Sequence, residues 1–308
     1  MTVRVVEVSE PGGPEVLKVA TRADPVAGAG EVVVEIARAT VNPSDLGVRS
    51  GATLRRVPDI RLPFVPGWDL CGVVAEVGPD VEGLAVGDRV VGMIPWVPIR
   101  GRVGAYAEAA AVEASWLAPV PPDLDAGLAA TVPLSGLTAA QGLELLGLGP
   151  GATVLVTGAS GAVGWFAAQL ARQQGCRVLA MGSHRDEAWI ERLGAEAIPR
   201  GADLGRIETV DAVFDAVPLG PGVTAPLREG GAVVFTRPPS GEPPPGIRYS
   251  TVWVEPRAAM LGDLATQVAT GRLLTRVARE LPLGDAPHAH QLAEAGGLRG
   301  KVVLDAQR

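Results

Sequence analysis

Thr153-Val154-Leu155-Val156-Thr157-Gly158-Ala159-Ser160-Gly161-Ala162-Val163-Gly164 decides how the rest of the chain is read. A short β-branched run turns through glycines into Trp165-Phe166-Ala167-Ala168-Gln169-Leu170-Ala171-Arg172, whose apolar residues recur at helical spacing. The stretch predicts a strand, a tight turn and a helix. Gly158 suits backbone angles that a Cβ opposes, Gly161 admits a phosphate to the backbone, and Gly164 lets helix and strand pack closely. The free N–H groups and positive dipole end of such a helix make an anion site. A second apolar run, Arg177-Val178-Leu179-Ala180-Met181, completes a βαβ unit of about thirty residues, the size of a dinucleotide-binding unit. A glycine turn alone is a weak signal, and its setting between two strands and a helix is what makes it specific.

Outward from this unit the alternation continues, with strands at 211–216, 231–236 and 250–254 and a helix at 186–193. Such alternation predicts a doubly wound parallel sheet covered by helices on both faces. Pro238-Pro239 and Pro243-Pro244-Pro245 cannot belong to a central strand. Beyond Pro256 come an Ala-rich helix to about residue 271, a strand at 276–281, a helix at 285–295 and a last strand at 301–304. Before the unit, valine-rich segments at 3–8, 31–39, 72–77, 89–93 and 105–112, punctuated by Pro, Gly and Asp, predict a compact β-barrel. The character changes around Pro119-Val120-Pro121-Pro122-Asp123, which places a domain boundary near Pro121. Asn42-Pro43-Ser44-Asp45 interrupts the barrel pattern: Pro43 restricts Asn42, and Ser44 or Asp45 can start a short helix.

The chain has 308 residues, room for two domains with a sizeable core, and 47% of them are hydrophobic. Its net charge of −7, from 27 Lys and Arg against 34 Asp and Glu, comes without a basic tract, which argues against a dedicated nucleic-acid or anionic-membrane surface. Its first residues alternate as a strand rather than as the apolar core of a signal peptide, and no apolar run is long enough to span a membrane. Cys71 and Cys176 stand in unrelated contexts, as expected of reduced, packed thiols, and a cytoplasmic location is the expectation.

Taken in order, Asn42-Pro43-Ser44-Asp45, Gly104-Ala105-Tyr106-Ala107-Glu108, Leu134-Ser135-Gly136-Leu137-Thr138-Ala139-Ala140, the glycine turn 158–164 and Gly300-Lys301-Val302-Val303-Leu304 are motifs in register over essentially the whole chain. With them the chain resembles the medium-chain dehydrogenase/reductase superfamily. It is most similar to the zinc-independent quinone oxidoreductase branch, with its zeta-crystallin-like proteins and enoyl reductases. The resemblance implies a chaperonin-10-like β-barrel catalytic domain, residues 1–121 and 262–308, and a Rossmann doubly wound domain, residues 122–261. It also implies a cleft where nicotinamide meets substrate, and a homodimer through the edge strand from Ser250 to Val254.

Where zinc-dependent relatives carry Gly-His-Glu this chain has Gly67-Trp68-Asp69, and where they carry a first cysteine ligand it has the Val41-Asn42 region. The four-cysteine structural lobe is missing, so no metal is expected. The three histidines are His184, His288 and His290, and exposure is the expectation for the latter two. After the second strand, Met181-Gly182-Ser183-His184-Arg185-Asp186 offers no acid for a ribose diol but a hydroxyl, an imidazole and a guanidinium, which favours NADPH over NADH. An ordinary helix start explains the acids that follow but not the missing ribose partner. The expected cofactor residues are Thr138, Gly158, Ala159, Ser160, Gly161, Ala162, Val163, Ser183, His184 and Arg185, with Val217, Phe235 and Thr236 at later strand ends.

Hydride transfer without a metal needs a carbon already activated by conjugation, which points to an enone, an enoyl group or a quinone as substrate. By resemblance Asn42 is the catalytic candidate, orienting substrate or stabilising an oxyanion. Gly47 stands where many relatives have a tyrosine, which leaves the proton donor open and the pocket roomier. Gly47, Trp68, Met93, Ile94 and Trp96 are the pocket candidates, with core packing the competing reading for Met93 and Ile94. The alternatives are an NADPH-binding structural or regulatory protein, which Gly47 favours, and a zinc alcohol dehydrogenase, which would need metal.

Overall fold

The computed structural model describes residues 2–308 and resolves them into two compact units. One unit comprises residues 2–134, 255–272 and 276–308, and the other residues 135–254 and 273–275. In chain order the elements are β1 (Thr2–Val8), β2 (Leu17–Ala23), β3 (Glu31–Val41), α1 (Pro43–Arg49), β4 (Asp69–Val77), β5 (Arg89–Met93), β6 (Ala109–Glu113), β7 (Leu117–Pro119), α2 (Ala126–Ala130) and α3 (Pro133–Leu146). There follow β8 (Thr153–Thr157), α4 (Ala162–Gln173), β9 (Arg177–Gly182), α5 (Glu187–Arg192), β10 (Glu196–Pro199), β11 (Val210–Asp215), β12 (Leu227–Phe235) and β13 (Arg248–Thr251). The chain ends with α6 (Ala258–Ala269), β14 (Val277–Pro282), α7 (Ala286–Ala295) and β15 (Lys301–Asp305).

The first unit is built on a seven-stranded sheet in the order β14-β15-β3-β4-β5-β7, with β6 on β3, and β1 and β2 pair separately. The valines of β3 alternate with polar residues where one face is solvated and run together where the strand is covered on both sides, which is why Val32, Val34 and Ile36 join the core. β15 enters from the far end of the chain between β14 and β3, and all five of its residues are buried. The sequence signal for β2 is faint because this strand pairs only with β1 and exposes most of its side chains. The unit runs on past Pro121 to Leu134 because α2 packs on β3 and β4.

The second unit is a six-stranded sheet in the order β10-β9-β8-β11-β12-β13, and every pairing in it is parallel. The order reverses between β8 and β11, so the sheet is doubly wound about that point. α4 packs on β8, β9 and β11, burying Trp165 and Phe166, each worth about 1.5–3 kcal/mol. Indole Nε1 of Trp165 also donates to Leu274 O at 2.7 Å. The opposite face, with Leu155, Leu179, Met181, Val213, Val233 and Phe235, is packed by Ile198, Ala202, Leu204, Ile207 and Val223. Most of these come from turns, because the link from β10 to β11 forms only a 3-10 turn at Leu204–Arg206 and the Pro- and Gly-rich link from β11 to β12 only one at Pro221–Thr224. Helical cover on both faces is therefore thinner than the alternation suggests. The last strand is Arg248–Thr251, not 250–254: Val252 still donates to Phe235 O at 2.9 Å, but Trp253 turns out and is 77% exposed.

Candidate functional site

In the second unit the glycine turn has the form its sequence demands. Gly158 has φ +62°, a left-handed angle that other residues adopt at a cost, and a Cβ there would lie 2.7 Å from Val217 Cγ1. Gly161 is the N-cap of α4, exposed and without a side chain, while a Cβ on Gly164 would lie 2.4 Å from Gly158 O. The turn is tied down by Ala159 N–H to Met181 O at 2.9 Å and Gly161 N–H to Gly158 O at 2.8 Å. Ser160 Oγ accepts the Ser183 N–H at 2.8 Å, joining the turn to the end of β9. A bare backbone at a helix N-terminus is a cradle that fits a dinucleotide diphosphate.

Around it the carboxyl ends of the central strands converge. Thr157 Oγ1 donates to Asp215 Oδ1 at 2.5 Å and accepts the Ala216 N–H at 3.1 Å, and Thr236 donates its N–H to Asp215 O at 3.1 Å. Burial pushes Asp215 up to about 6, opposed by the Thr157 hydroxyl and the N–H groups of Leu219 and Val217. Ala162 and Val163 open α4, Thr138 is buried on α3, and His184 and Arg185 are exposed beyond Ser183. Phe235 is set apart from this group, because its ring is enclosed in the core beneath the sheet. The sequence reading missed Arg200: its N–H donates to Gly182 O at 2.9 Å, which puts this exposed residue at the end of β10 beside Ser183. The signal would have been β10 itself, a four-residue strand too short to stand out.

The first unit gathers a different kind of site. Asn42, in an extended conformation fixed by Pro43, is the N-cap of α1, and Asp45 reaches back so that Oδ2 accepts the Asn42 N–H at 2.8 Å. The Asn42 side chain turns inward. Nδ2 donates to Asp69 Oδ2 at 2.9 Å, and Oδ1 accepts from Lys301 Nζ. The amide orientation follows from chemistry, since a carboxylate only accepts and an ammonium only donates. Asp69 Oδ2 also accepts from Thr40 Oγ1 at 2.5 Å and lies 3.2 Å from Lys301 Nζ, while Oδ1 takes the Leu134 N–H at 2.7 Å. All four side chains are buried. Asn42, the expected oxyanion donor, thus has its amide committed inside a closed network, with its remaining N–H 3.4 Å from Thr40 Oγ1.

Asp45 is enclosed beside this network. Its Oδ1 accepts the Gly67 N–H at 3.1 Å, and burial pushes its carboxyl up to about 7, opposed by the Asn42 N–H and reinforced by the Asp69 charge. Tyr106 is packed; of the two late histidines, His288 faces solvent as expected, but His290 is buried rather than exposed. Burial, then the Arg49 charge, holds His290 down to about 3, so the ring is neutral, and its Nε2 shares a hydrogen bond with Tyr106 Oη at 3.0 Å. The pocket candidates separate. Met93, Ile94 and Trp96 are core residues, with Trp96 Nε1 donating to Val65 O at 2.8 Å, whereas Gly47 is half-buried and Trp68 Nε1 is enclosed without a partner.

Asn42, Trp68 and Asp69 offer one carboxylate, already saturated, and neither cysteine nor histidine, so these residues do not fit a zinc site. Among the described residues, no group of three or more His, Cys, Asp or Glu is placed to hold a metal ion, and no helix is long and apolar enough to cross a membrane.

The family description "Alcohol dehydrogenase GroES-like domain" matches residues 28–122, and "Zinc-binding dehydrogenase" matches residues 193–304. The chain is 33% identical over 285 residues to a 2-methylene-furan-3-one reductase of Solanum lycopersicum, covering 89% of this chain and 71% of the relative. It is 31% identical over 308 residues to a chloroplastic NADPH-dependent alkenal/one oxidoreductase of Arabidopsis thaliana, covering 96% and 78%. Among solved structures, the quinone oxidoreductase from Coxiella burnetii superposes with a TM-score of 0.87 at 27% identity, covering 99% of each chain. A barrel unit with a late returning strand, a doubly wound unit with a glycine cradle and these likenesses agree: the chain belongs to the medium-chain dehydrogenase/reductase superfamily, among relatives named quinone and alkenal/one oxidoreductases.

Proposed function

We propose that the protein is an NADPH-dependent oxidoreductase that reduces the activated C=C bond of an enone or enoyl substrate, or a quinone, without a catalytic metal. The observation that carries this reading is the replacement of a metal-ligand set by the Thr40–Asn42–Asp69–Lys301 network in a chain whose dinucleotide cradle is intact. When bound, NADPH supplies a hydride to a carbon made electron-poor by conjugation. The chain's own contributions are binding, orientation and charge. The Gly158–Gly164 turn and the N-terminus of α4 would hold the diphosphate, and Ser183, His184, Arg185 and Arg200 would bind the ribose 2′-phosphate. With Gly47 offering no side chain, water delivers the final proton. Gly47 and Trp68, whose indole N–H lacks a partner, line the substrate pocket.

The relatives' names, a furanone reductase and an alkenal/one oxidoreductase, support the same substrate class. A cytoplasmic homodimer completes the proposal, paired through β13, the edge strand of its sheet, where Tyr249 is 54% exposed. Fluorescence titration with both nucleotides and turnover with an enone test the reading. Tighter binding of NADPH than of NADH, with its consumption when enone is added, is the expected result; tighter NADH binding would overturn the cofactor assignment.

A further inference from the structure

We propose that Lys301 is a catalytic residue: its ammonium, held by Asn42 Oδ1 and Asp69 Oδ2, donates its third N–H to the carbonyl oxygen of the substrate and stabilises the enolate. The proposal rests on the reductase reading given above. A lysine ammonium has three donors, and two are accounted for by Asn42 and by Asp69 at 3.2 Å. Lys301 is nearly enclosed, with 6% exposure, so a donor facing substrate acts in a medium where charge is poorly screened.

The neighbours are arranged to fix that ammonium rather than to act themselves. Asn42 has no donor to spare, and Asp69 takes N–H or O–H groups from Thr40, Asn42 and Leu134 besides Lys301. Asn42, Asp69 and Thr40 are therefore positioning residues. A buried ion pair is a poor device for stability alone, since well-packed apolar residues do as well or better, so its presence here calls for another use. In the reaction, hydride adds to the β-carbon, the π electrons move through the α-carbon onto oxygen, and the resulting enolate accepts the Lys301 hydrogen bond. Water then protonates the α-carbon, and the ammonium keeps its proton.

The test compares the unaltered protein with Lys301→Met, Lys301→Arg and the double variant Lys301→Met/Asp69→Asn, which leaves no buried charge alone and carries the test if the single variant does not fold. With an enone, Lys301→Met and the double variant should lose about a hundredfold or more in kcat with little change in KM. Lys301→Arg should recover part of it. The isotope effect on kcat with deuterated NADPH should rise in the slow variants, as chemistry becomes limiting. Independently of turnover, affinity for 4-nitrophenolate, a stable mimic of the enolate charge, should fall about tenfold or more. Unchanged kcat and unchanged phenolate affinity in a folded variant would overturn the proposal and leave the reductase reading standing. No turnover by the unaltered protein on any enone or quinone would remove both.

Discussion

The two sites solve the problem of holding a charged group by opposite means. The glycine turn of the second unit works by omission: side chains are missing at Gly158, Gly161 and Gly164, which leaves bare backbone at the start of α4. The network of the first unit works by excess, with a carboxylate, an ammonium, an amide and a hydroxyl crowded together and largely buried. A cradle made of backbone tolerates no added atom but carries no charge of its own. A network made of side chains is expensive to leave half-made, because each member is buried and needs its partners.

That contrast can be broken from the cradle side. Gly164→Val would put side-chain atoms onto Gly158 O, where even a Cβ would come to 2.4 Å. NADPH binding should weaken by a hundredfold or more, on the order of 3 kcal/mol, in fluorescence titration. The first unit's network should be untouched. On the network side, Asp69→Ala strands the Lys301 charge and should cost about 3–5 kcal/mol of stability in denaturant unfolding, whereas Lys301→Met/Asp69→Asn should cost less. If the single and double variants are equally unstable, the ion pair is not what the network protects.

A sharper comparison concerns the sugar phosphate. Arg185→Ala and Arg200→Ala should each weaken NADPH binding about tenfold and leave NADH binding nearly unchanged, since only the former carries the 2′-phosphate. Equal losses for both nucleotides would mean that these arginines act elsewhere.

An effect of similar size is the dependence of stability on pH. Asp45 and Asp215 are both held above their ordinary range by burial, so the folded chain keeps protons that the unfolded chain has released. Their contribution is fully present below about pH 4 and is lost as pH rises through about 6 and 7. His290 runs the other way, contributing above its ordinary value and losing that contribution as pH falls through about 3. Between pH 5 and pH 8 the carboxyl groups should dominate, with a net loss on the order of 1–2 kcal/mol as pH rises. Denaturant unfolding at the two values checks it, and Asp45→Asn should flatten the slope.

Much of this was legible in the residues. The glycine turn could be read because its constraint is local: each glycine answers to atoms a few residues away or to its own backbone angle. The Asn42-Pro43-Ser44-Asp45 turn was legible as a helix start for the same reason. What the sequence concealed was long-range. Lys301 stands 259 positions from Asn42, and in the sequence it reads as the polar start of a last strand. The burial of His290 was hidden too, because helical periodicity says which residues share a face and not that Tyr106 will meet one of them. Arg200 escaped because the strand that brings it beside Ser183 has only four residues.

The most direct test of the central claim is consumption of NADPH by the purified protein with enones, enoyl thioesters, quinones and simple ketones, before and after treatment with a metal chelator. The account predicts turnover with the conjugated substrates, none with simple ketones, and no loss after chelation. Turnover of simple ketones that disappears with the chelator and returns with zinc would contradict it.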